Sequence, residues 1–547
     1  MDKRTIWAFI LIIAVFWISS EFIWKTNKVK EPSKEQIKET FGNEGVPLQN
    51  QSDEKAEKTS PEPEILEMES IDNFAEDIEL NDTIVLENDK IRVSFTNQGA
   101  RINSIVLKDY FLADKVTPVD LIRDQSNLFG IEYVDITGNQ HKGTPVMYEW
   151  EKPNPESVIF SGQGSFGSEK KTFILRDNYQ LDMFLSVSTN QEQFDYILKL
   201  DCGIADTERY LKRKNQNYQV VLEIDNKVER LTLQKLKKNK ELTGKIDWIA
   251  LRSKFFAIGI VKDELSTLHR IFAYANNGSP AFRLFGRSPK PVLDAQFSLY
   301  LGPVVSEEME KLGEGFGSAY YAGNGIFFGQ GFIKPVSRLF EGVFKQFHHV
   351  IPNWGLCLIL FSVLIKLLLY PLTHKSYESS TKLQKIQPQI TELREKYKKD
   401  PQKMNQEMQR IYRENGVSPL GGCLPMLLQM PIFFALYPVI RYSIDLRQAG
   451  FLWLKDLSEP DPYWILPILM AVFMFLQQYL MQPKKEALAE MSEQQRAQMQ
   501  NQRMMMYIMP AIMFFLFKSF PSGLVLYWTV FNIMSMFQQR MIKRKFS

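Results

Sequence analysis

The sequence predicts a polytopic α-helical membrane protein of six spans, with an exported all-β domain between the first and second spans. Three observations support this fold class. An apolar segment, Ile6 to Ile23, follows a basic N-terminus. Residues 27 to about 345 are polar and charged, and they contain short stretches of alternating apolar residues. Residues 351–542 contain several long apolar runs separated by basic loops.

Length, composition and cysteine content agree with this division. The chain of 547 residues is too long for one ordinary domain, and 45% apolar residues with a net charge of +3 fit a membrane protein with a large water-soluble part. Cys202 is alone in the exported region, so no disulfide framework is expected there. Cys357 and Cys423 lie in or beside spans, and all three are expected to be free buried thiols. With no cysteine near the first span, a lipoprotein anchor is not expected.

The N-terminal region is predicted to be an anchor followed by a tether. Residues 1–25 lack a small-x-small cleavage site, so they are predicted to form an uncleaved signal-anchor span with a cytoplasmic N-terminus. Residues 26–82 are rich in Glu, Lys, Ser and Pro and contain few aromatic residues. This composition is typical of a flexible, solvated segment.

Residues 83–330 are predicted to form a large antiparallel sandwich. Apolar residues alternate in Thr83 to Leu86 and in Ile91 to Phe95, on either side of a turn. Further strands are predicted at 102–107, 172–175, 180–188, 218–224, 231–236 and 296–301. The region shows no phosphate-binding loop or metal-ligand spacing, and His141 and His269 are isolated. A binding or scaffolding domain is therefore expected, not an enzyme, with no cofactor or metal.

Residues 331–350 are predicted to form an amphipathic helix. Apolar residues recur at three- and four-residue steps from Phe332 to Phe347, with charged residues between them. Such a helix is expected to lie in the membrane interface. An ordinary amphipathic helix that packs on the sandwich is the alternative.

The helical core is predicted over 351–542. Its spans are expected at about 355–372, 420–440, 463–481, 504–518 and 521–539. Cytoplasmic loops accumulate Lys and Arg, and basic residues outnumber acidic ones in loops 373–418 and 482–503 and in the short tail 543–547. Loop 443–462 contains more acidic than basic residues and is expected outside. Both termini are thus expected in the cytoplasm.

Loop 373–418 is predicted to contain a helical hairpin. Its apolar residues repeat at three- and four-residue spacing on both sides of Asp400-Pro401. The residues of this pattern are Leu383, Ile386, Ile390, Leu393, Tyr397, Met404, Met408 and Ile411. The basic faces are expected in water, near anionic lipid or ribosomal RNA, without recognition of a specific nucleic-acid sequence. Alternatively, these charges only satisfy the orientation rule.

Lys366 is the one charge in the apolar run from Gly355 to Leu372. A cation at the membrane centre costs roughly 2.5–3.5 kcal/mol on insertion scales, so an intramembrane lysine predicts a functional site. Lys366 is also close enough to Leu372 that it could extend to the cytoplasmic interface without any further role.

Other polar residues in the spans could line a water-filled half-channel with Lys366. They are Gln429, Gln477, Gln478, Thr529 and Asn532, with Tyr527 and Trp528 as a possible aromatic rim. Polar groups cost several kcal/mol each when they cross hydrocarbon unsatisfied, and such a groove shortens the crossing. For any one amide, an interhelical hydrogen bond worth about 0.6 kcal/mol is an equal alternative.

Several motifs closely resemble the YidC membrane protein insertases. The longest is Gly416-Val-Ser-Pro-Leu-Gly-Gly-Cys-Leu-Pro-Met-Leu-Leu-Gln-Met-Pro-Ile-Phe433. Others are Asn353-Trp-Gly, Lys366-Leu-Leu-Leu-Tyr-Pro-Leu372, Lys382-Leu-Gln-Lys-Ile-Gln-Pro388 and Phe520-Pro-Ser-Gly-Leu-Val-Leu-Tyr-Trp528 with Asn532. The resemblance is strong over 332–542. It is weaker in the exported region, at Phe95-Thr-Asn-Gln-Gly-Ala100, from Trp248 to Phe256 and at Tyr300-Leu-Gly-Pro303.

The resemblance implies a five-helix insertase core around a groove open to cytoplasm and lipid, and a periplasmic β-supersandwich of the Gram-negative type. It also implies an inner-membrane location, nascent membrane proteins as clients, the Sec translocon as a partner, and a weaker ribosome contact through the cytoplasmic loop. Many members of the family have an arginine at the position of Lys366. Lysine keeps the charge and loses the guanidinium fork.

Two other function classes compete with an insertase or chaperone. An ion-coupled transporter should have intramembrane carboxylates, and the five C-terminal spans contain no Asp or Glu. A membrane-anchored carbohydrate-binding protein would act through the exported sandwich. The insertase is the function that the residues and the resemblance favour.

Overall fold

The computed structural model describes residues 84–122, 128–142, 147–262, 268–313, 315–320, 329–398, 400–417, 424–480, 504 and 507–546. The chain divides into two compact units, Met1–Glu79 and Leu80–Ser547. Every described residue belongs to the second unit. The predicted anchor (1–25) and tether (26–82) lie outside the described residues.

The N-terminal part of the described chain is built from β-strands. The strands are β1 (Ile84–Glu87), β2 (Ile91–Thr96), β3 (Arg101–Phe111), β4 (Pro118–Asp120), β5 (Gly130–Val134), β6 (Gln140–Lys142), β7 (Glu149–Asn154), β8 (Ser157–Gln163), β9 (Ser168–Leu175), β10 (Gln180–Ser188), β11 (Phe194–Leu200), β12 (Gln219–Ile224), β13 (Lys227–Thr232), β14 (Lys240–Thr243), β15 (Ile246–Arg252), β16 (Phe256–Lys262), β17 (Leu268–Asn276), β18 (Ser279–Ser288) and β19 (Val292–Pro303). We call this part the β domain.

Helices form the rest of the described chain, with two short ones inside the β domain. They are α1 (Lys214–Asn217), α2 (Ser306–Leu312), α3 (Gly329–Val350), α4 (Trp354–Lys385), α5 (Gln387–Lys396), α6 (Pro401–Glu414), α7 (Leu424–Tyr442), α8 (Ile465–Leu480), α9 (Tyr507–Phe517) and α10 (Ser522–Phe546). We call α3, α4 and α7 to α10 the helical core.

The strands of the β domain form three antiparallel sheets within the described residues, which confirms the predicted all-β class. The sheet orders are β1-β2-β3-β4, β13-β12-β15-β16-β19-β10-β9-β8-β7 and β14-β17-β18-β11-β5-β6. Strand β10 shows why the sequence folds this way, since Leu181, Met183, Leu185 and Val187 are all buried at alternate positions. Met183 pairs with Phe173 of β9 and Phe297 of β19, so apolar side chains share one face across three strands.

The predicted strand at 231–236 is wrong, because β13 spans Lys227–Thr232. Asp225 and Asn226 have φ angles of 48° and 58°, which make the two-residue turn that joins β12 to β13. The strand therefore begins directly after this turn. Leu233 and Leu236 are buried beyond its end, and their burial rather than a strand explains the apolar spacing.

A buried ion pair lies inside the β domain, on β9. The Lys171 ammonium lies 3.0 Å from the Glu169 carboxylate, with side chains 2% and 6% exposed. It also donates a hydrogen bond of 2.8 Å to the Gly99 carbonyl. Burial lowers the pKa of Lys171, and the Glu169 carboxylate opposes that shift. Removal of either partner would leave an uncompensated buried charge.

We expect Lys171→Met to lower the unfolding free energy of the β domain by about 3 kcal/mol, because Glu169 loses its counter-charge. Urea-dependent proteolysis of the full-length protein measures this change. Lys170→Met is the matched control, because Lys170 is the exposed neighbour on the same strand. Equal urea midpoints for the two variants would show that the pair contributes nothing to stability.

The helical core has its own hydrophobic cluster. Phe340 and Phe344 of α3 lie 5.0 Å and 4.5 Å from the ring of Phe361 on α4. The Ser337 hydroxyl on α3 donates a hydrogen bond of 2.8 Å to the Ala435 carbonyl of α7. The apolar face of α3 thus packs on the helical core and not on the β sheets. Its predicted place in the membrane interface remains a prediction.

One described helix, Trp354–Leu383, is long and apolar enough to cross a membrane by length and composition. Leu427–Tyr442, Ile465–Leu480 and Tyr507–Phe517 are shorter apolar helices. The predicted number of six spans therefore remains a prediction.

Two helices extend beyond the predicted spans. Helix α4 does not end near residue 372 but continues through Pro371 to Lys385. Proline removes one backbone donor, yet Thr373, Ser376 and Tyr377 remain buried beyond it, so packing maintains the helix. Helix α10 continues through most of the predicted tail to Phe546. Lys and Arg are good helix formers, and positive charge is favourable at a helix C-terminus.

Candidate functional site

Lys366 lies on α4 at its contact with α10 and is 2% exposed. Its ammonium donates a hydrogen bond of 2.7 Å to the Ser535 hydroxyl. The ring centroids of Phe531 and Tyr377 lie 4.5 Å and 5.6 Å from the same nitrogen. Among the described residues, these contacts are a hydroxyl and two ring faces. The charge is therefore stabilised by dipoles and cation–π contacts, and no described carboxylate lies beside it.

The side chain of Lys366 extends along α4 toward the C-terminal end of the helix. Its ammonium lies 5.6 Å from the ring centroid of Tyr377, which is eleven residues further along α4. The same ammonium contacts α10 at Ser535. In this structure the lysine belongs to the interior of the helical core.

Gln429 of α7 and Tyr527 of α10 form a second buried polar contact. The Gln429 amide donates a hydrogen bond of 2.6 Å to the Tyr527 hydroxyl. Both side chains are buried, and the Gln429 carbonyl oxygen has no hydrogen-bond partner among the described residues. A buried oxygen without a partner is costly and can accept a bond from an incoming donor.

The two contacts lie on one face of α10. Tyr527, Phe531 and Ser535 are four residues apart in sequence, so they follow a single stripe of the helix. Lys366 contacts the C-terminal part of this stripe and Gln429 contacts its N-terminal part. We call Lys366, Gln429, Tyr527 and Ser535 the polar seam.

Two other predicted site residues of α10, Trp528 and Thr529, are placed differently. Trp528 packs on Phe433 and Phe517, with centroid distances of 5.6 Å and 5.3 Å. Tyr527 and Trp528 therefore form no common aromatic rim, because neighbouring residues of a helix point about 100° apart. The Thr529 hydroxyl bonds to the carbonyl of Val525 in its own helix.

No contact among the described residues joins Lys366 to Asn532, Gln477 or Gln478. Asn532 is buried, and its amide nitrogen has no hydrogen-bond partner in the part of the chain that the structure describes. Gln477 and Gln478 are half-buried on α8. Their predicted role in lining a groove remains a prediction.

The polar seam continues toward the C-terminal end of α10 through residues that the sequence did not single out. The Gln538 amide donates a hydrogen bond of 3.2 Å to the Thr373 hydroxyl, and both side chains are buried. Ser535 and Tyr377 belong to the same region. The signal was available, since Ser535 and Gln538 extend the Tyr527 stripe at helical spacing. Because the predicted span ended at residue 372, Thr373 and Tyr377 were not considered as site residues.

Five of the predicted hairpin residues meet in one small cluster. Ile386 and Ile390 are buried in it, and Leu383, Met408 and Ile411 pack against them. Leu383 belongs to α4, and the helices after it are α5 and α6. Asp400 caps α6 by accepting a hydrogen bond of 3.1 Å from the Lys403 amide.

The remaining three hairpin residues, Leu393, Tyr397 and Met404, are half-buried outside that cluster. The Tyr397 ring lies under the ammonium groups of Lys396 and Lys403, at 5.6 Å and 5.5 Å. The charged side chains of this hairpin are mainly exposed. The described arrangement is thus a basic surface on a small apolar cluster.

The chemistry available at the polar seam is binding. It offers a buried cation, hydroxyls and an amide oxygen without a partner, in a surrounding of apolar helices. Such groups can solvate a polar segment that is moving between water and lipid. Solvation of a polar segment differs from bond cleavage, which needs an activated nucleophile or a metal.

Comparisons with known proteins cover both parts of the chain. Residues 346–547 match the family model described as 60Kd inner membrane protein, and residues 83–334 match the YidC periplasmic domain. A membrane protein insertase YidC of Geotalea uraniireducens is 30% identical over 584 residues, covering 100% of this chain and 99% of the relative. One of Syntrophus aciditrophicus is 29% identical, with 100% of both chains covered.

A crystal structure of an active YidC insertase, with its first transmembrane domain resolved, is 19% identical to this chain. It covers 84% of this chain and 92% of its own chain, with a TM-score of 0.35.

Proposed function

Because the chain belongs to the YidC family of membrane protein insertases, we propose that its polar seam receives nascent hydrophobic segments and releases them into the inner membrane. The buried Lys366 and its contact with Ser535 carry this proposal. A cation held between apolar helices costs free energy, and we attribute its presence to client binding.

The proposed step begins with separation of α4 and α10 at the seam. Lys366 and Tyr527 are buried in this structure, so a client reaches them only when the two helices part. The freed ammonium and the Gln429 oxygen would then solvate the polar flank of the client. The apolar part of the client would leave sideways into lipid, and no nucleotide would be hydrolysed.

We extend the proposal to the surroundings of the core. The groove would open to the cytoplasm and to lipid, with both termini in the cytoplasm and the β domain in the periplasm. Small clients would insert through this protein alone, and larger ones beside the Sec translocon. The basic surface of α5 and α6 would contact the ribosome or anionic lipid.

Photocrosslinking tests the proposal. A photoreactive residue at position 429 or 527 is expected to crosslink to a ribosome-stalled single-span chain in native membranes. Crosslinks should appear when the apolar segment emerges and should fade as the chain lengthens, because occupancy of an insertion groove is transient. Position 537 is the matched control, because Phe537 lies exposed on another face of the same helix.

Equal crosslinking from 429, 527 and 537 would indicate non-specific contact with lipid-embedded chains. Absence of crosslinks from 429 and 527, with the protein folded and abundant, would refute the seam as the client site.

A further inference from the structure

An ionic interface joins the β domain to the helices that carry the polar seam, at the C-terminal end of α7 and the N-terminal end of α10. We call these the outer ends of the two helices. Arg447 lies in the segment between α7 and α8. Its guanidinium donates a hydrogen bond of 2.8 Å to the Glu208 carboxylate of the β domain, and the two side chains are 4% and 6% exposed. It donates a second bond of 3.1 Å to the Thr207 carbonyl. A buried, hydrogen-bonded pair of this kind requires a defined geometry.

The residue after Arg447 supports the same interface. Gln448 has a φ of 57°, which is rare for a residue with a side chain. Its amide donates hydrogen bonds of 2.9 Å to the carbonyls of both Phe111 and Leu112 in the β domain. Backbone strain of this kind persists where surrounding contacts maintain it. The β domain therefore holds the α7–α8 connection in its observed shape.

Lys254 links the β domain to the start of α10. Its ammonium is buried and donates hydrogen bonds to the Ser458 carbonyl at 3.0 Å and to the Ser458 hydroxyl at 3.2 Å. The segment around Ser458 in turn caps α10. The Ser522 amide donates to the Glu459 carbonyl at 2.7 Å, and the Gly523 amide donates to the Leu457 carbonyl at 2.9 Å. These bonds satisfy amides that a helix start leaves free.

Arg213 links the β domain to the outer end of α7. Its guanidinium donates hydrogen bonds of 3.1 Å to the Tyr437 hydroxyl and 3.2 Å to the Ser519 hydroxyl. Arg441 of α7 donates back to the Asn217 side chain at 2.9 Å. Each side of this interface thus donates directed hydrogen bonds to the other. Such bonds fix the orientation of α7 on the β domain as well as its distance.

Carboxylates and cations of the protein lie opposite one another at this interface. The carboxylate oxygens of Glu208, Asp456 and Glu459 lie within 4.8 Å of one another. Burial, and then the charge of Asp456, raises the pKa of Glu459, while burial lowers the pKa of Lys254. Lys254 and Arg447 supply the opposing charges. We therefore interpret this acidic cluster as part of the docking interface and not as a metal site.

These contacts lie close to the polar seam. Tyr527 follows Gly523 by about 6 Å of helix, and Gln429 precedes Tyr437 by about 12 Å. The Gln429–Tyr527 hydrogen bond joins the same two helices whose outer ends the β domain holds. A rigid helix transmits a displacement of its end over such short distances.

We infer that Lys254 and Arg213 of the β domain are positioning residues for the insertase site, acting through the outer ends of α10 and α7. The inference rests on the proposed function. It assigns the β domain a role in the reaction of the helical core, in which docking maintains the alignment of Gln429 with Tyr527. Neither residue touches the client.

The test uses the full-length protein in vesicles of phosphatidylethanolamine and phosphatidylglycerol. Lys254→Met removes the ammonium and keeps the length of the side chain. It is expected to raise hydrogen exchange in the peptide 520–526 about tenfold, because the cap on Ser522 and Gly523 loosens. Crosslinking from position 527 to a stalled client should fall at least about threefold. Lys254→Arg is expected to restore both.

Lys245→Met is the matched control, because Lys245 is a β-domain lysine whose side chain is 68% exposed. Arg213→Met is the second variant, in case Lys254→Met fails to fold, and it should also reduce the crosslink. Unchanged exchange after Lys254→Met would overturn the docking, and faster exchange with full crosslinking would overturn the positioning role. The wild type could give no crosslink from 527 while Lys254→Met still raises hydrogen exchange in peptide 520–526. In that case the proposed function fails and the docking stands.

Discussion

Lys366→Glu is expected to reduce growth strongly in a depletion-complementation assay, whereas Lys366→Arg is expected to support it. The variant carboxylate would face the ring of Phe531, whose negative face attracts cations and repels anions. It would also repel acidic flanks of clients. With an intramembrane charge worth roughly 2.5–3.5 kcal/mol, a loss of about 100-fold in plating efficiency is expected.

Arginine keeps the charge at this position, and the Ser535 hydroxyl remains within its reach as an acceptor. We therefore expect growth of Lys366→Arg within about threefold of wild type. Ser362→Ala is the matched control, because Ser362 is also buried on α4 but bonds to the Leu358 carbonyl of its own helix. Immunoblots confirm equal abundance. Equal growth of the Glu and Arg variants would argue against any role for the charge.

Replacing residues 387–414 by a flexible linker should reduce insertion of ribosome-tethered clients at least about fivefold and should weaken ribosome cosedimentation. The deleted segment comprises α5 and α6, and the whole of α4 remains in the variant. Its exposed cations are Arg394, Lys396, Lys398, Lys403, Arg410 and Arg413. Contacts between such cations and RNA phosphates release counterions, so the wild-type interaction should weaken steeply between 50 and 200 mM salt.

A charge-neutral variant separates charge from fold. Arg394, Lys396, Lys398 and Lys403 are each replaced by Gln, which leaves the Ile386 and Ile390 cluster intact. This variant should reproduce most of the loss at low salt and show a shallower salt dependence. Undiminished insertion after the deletion would remove the ribosome contact from the proposed function. A loss with the deletion but not with the neutral variant would assign the effect to the apolar cluster.

Local patterns of the sequence predicted most of the elements. Alternating apolar residues correctly indicated β1, β2 and β10, because strand burial has a period of two residues. The turn at Asp225-Asn226 was missed, and the strand after it was placed too late. The end of α4 was misplaced at Pro371, since a proline signal is local while the packing of Thr373 and Tyr377 is not.

Prediction of the site was partial for the same reason. Lys366 stands out in any reading of hydropathy, and Gln429 and Tyr527 are polar groups in apolar runs. Their pairing was not predictable, since Gln429 and Tyr527 are 98 positions apart and Lys366 and Ser535 are 169 apart. Ser535 was not singled out, because a lone serine in a helix is common and acquires meaning only from what it faces.

The sequence by itself determined the all-β domain, the apolar helices and the cation within an apolar run, since periodicity and hydropathy are properties of neighbouring residues. Only the tertiary structure decided which polar groups meet Lys366, that Trp528 packs away from Tyr527, and that Lys254 and Arg213 hold the outer ends of α10 and α7. These contacts depend on how helices cross and rotate. A rotation of one residue, about 100°, exchanges one set of neighbours for another.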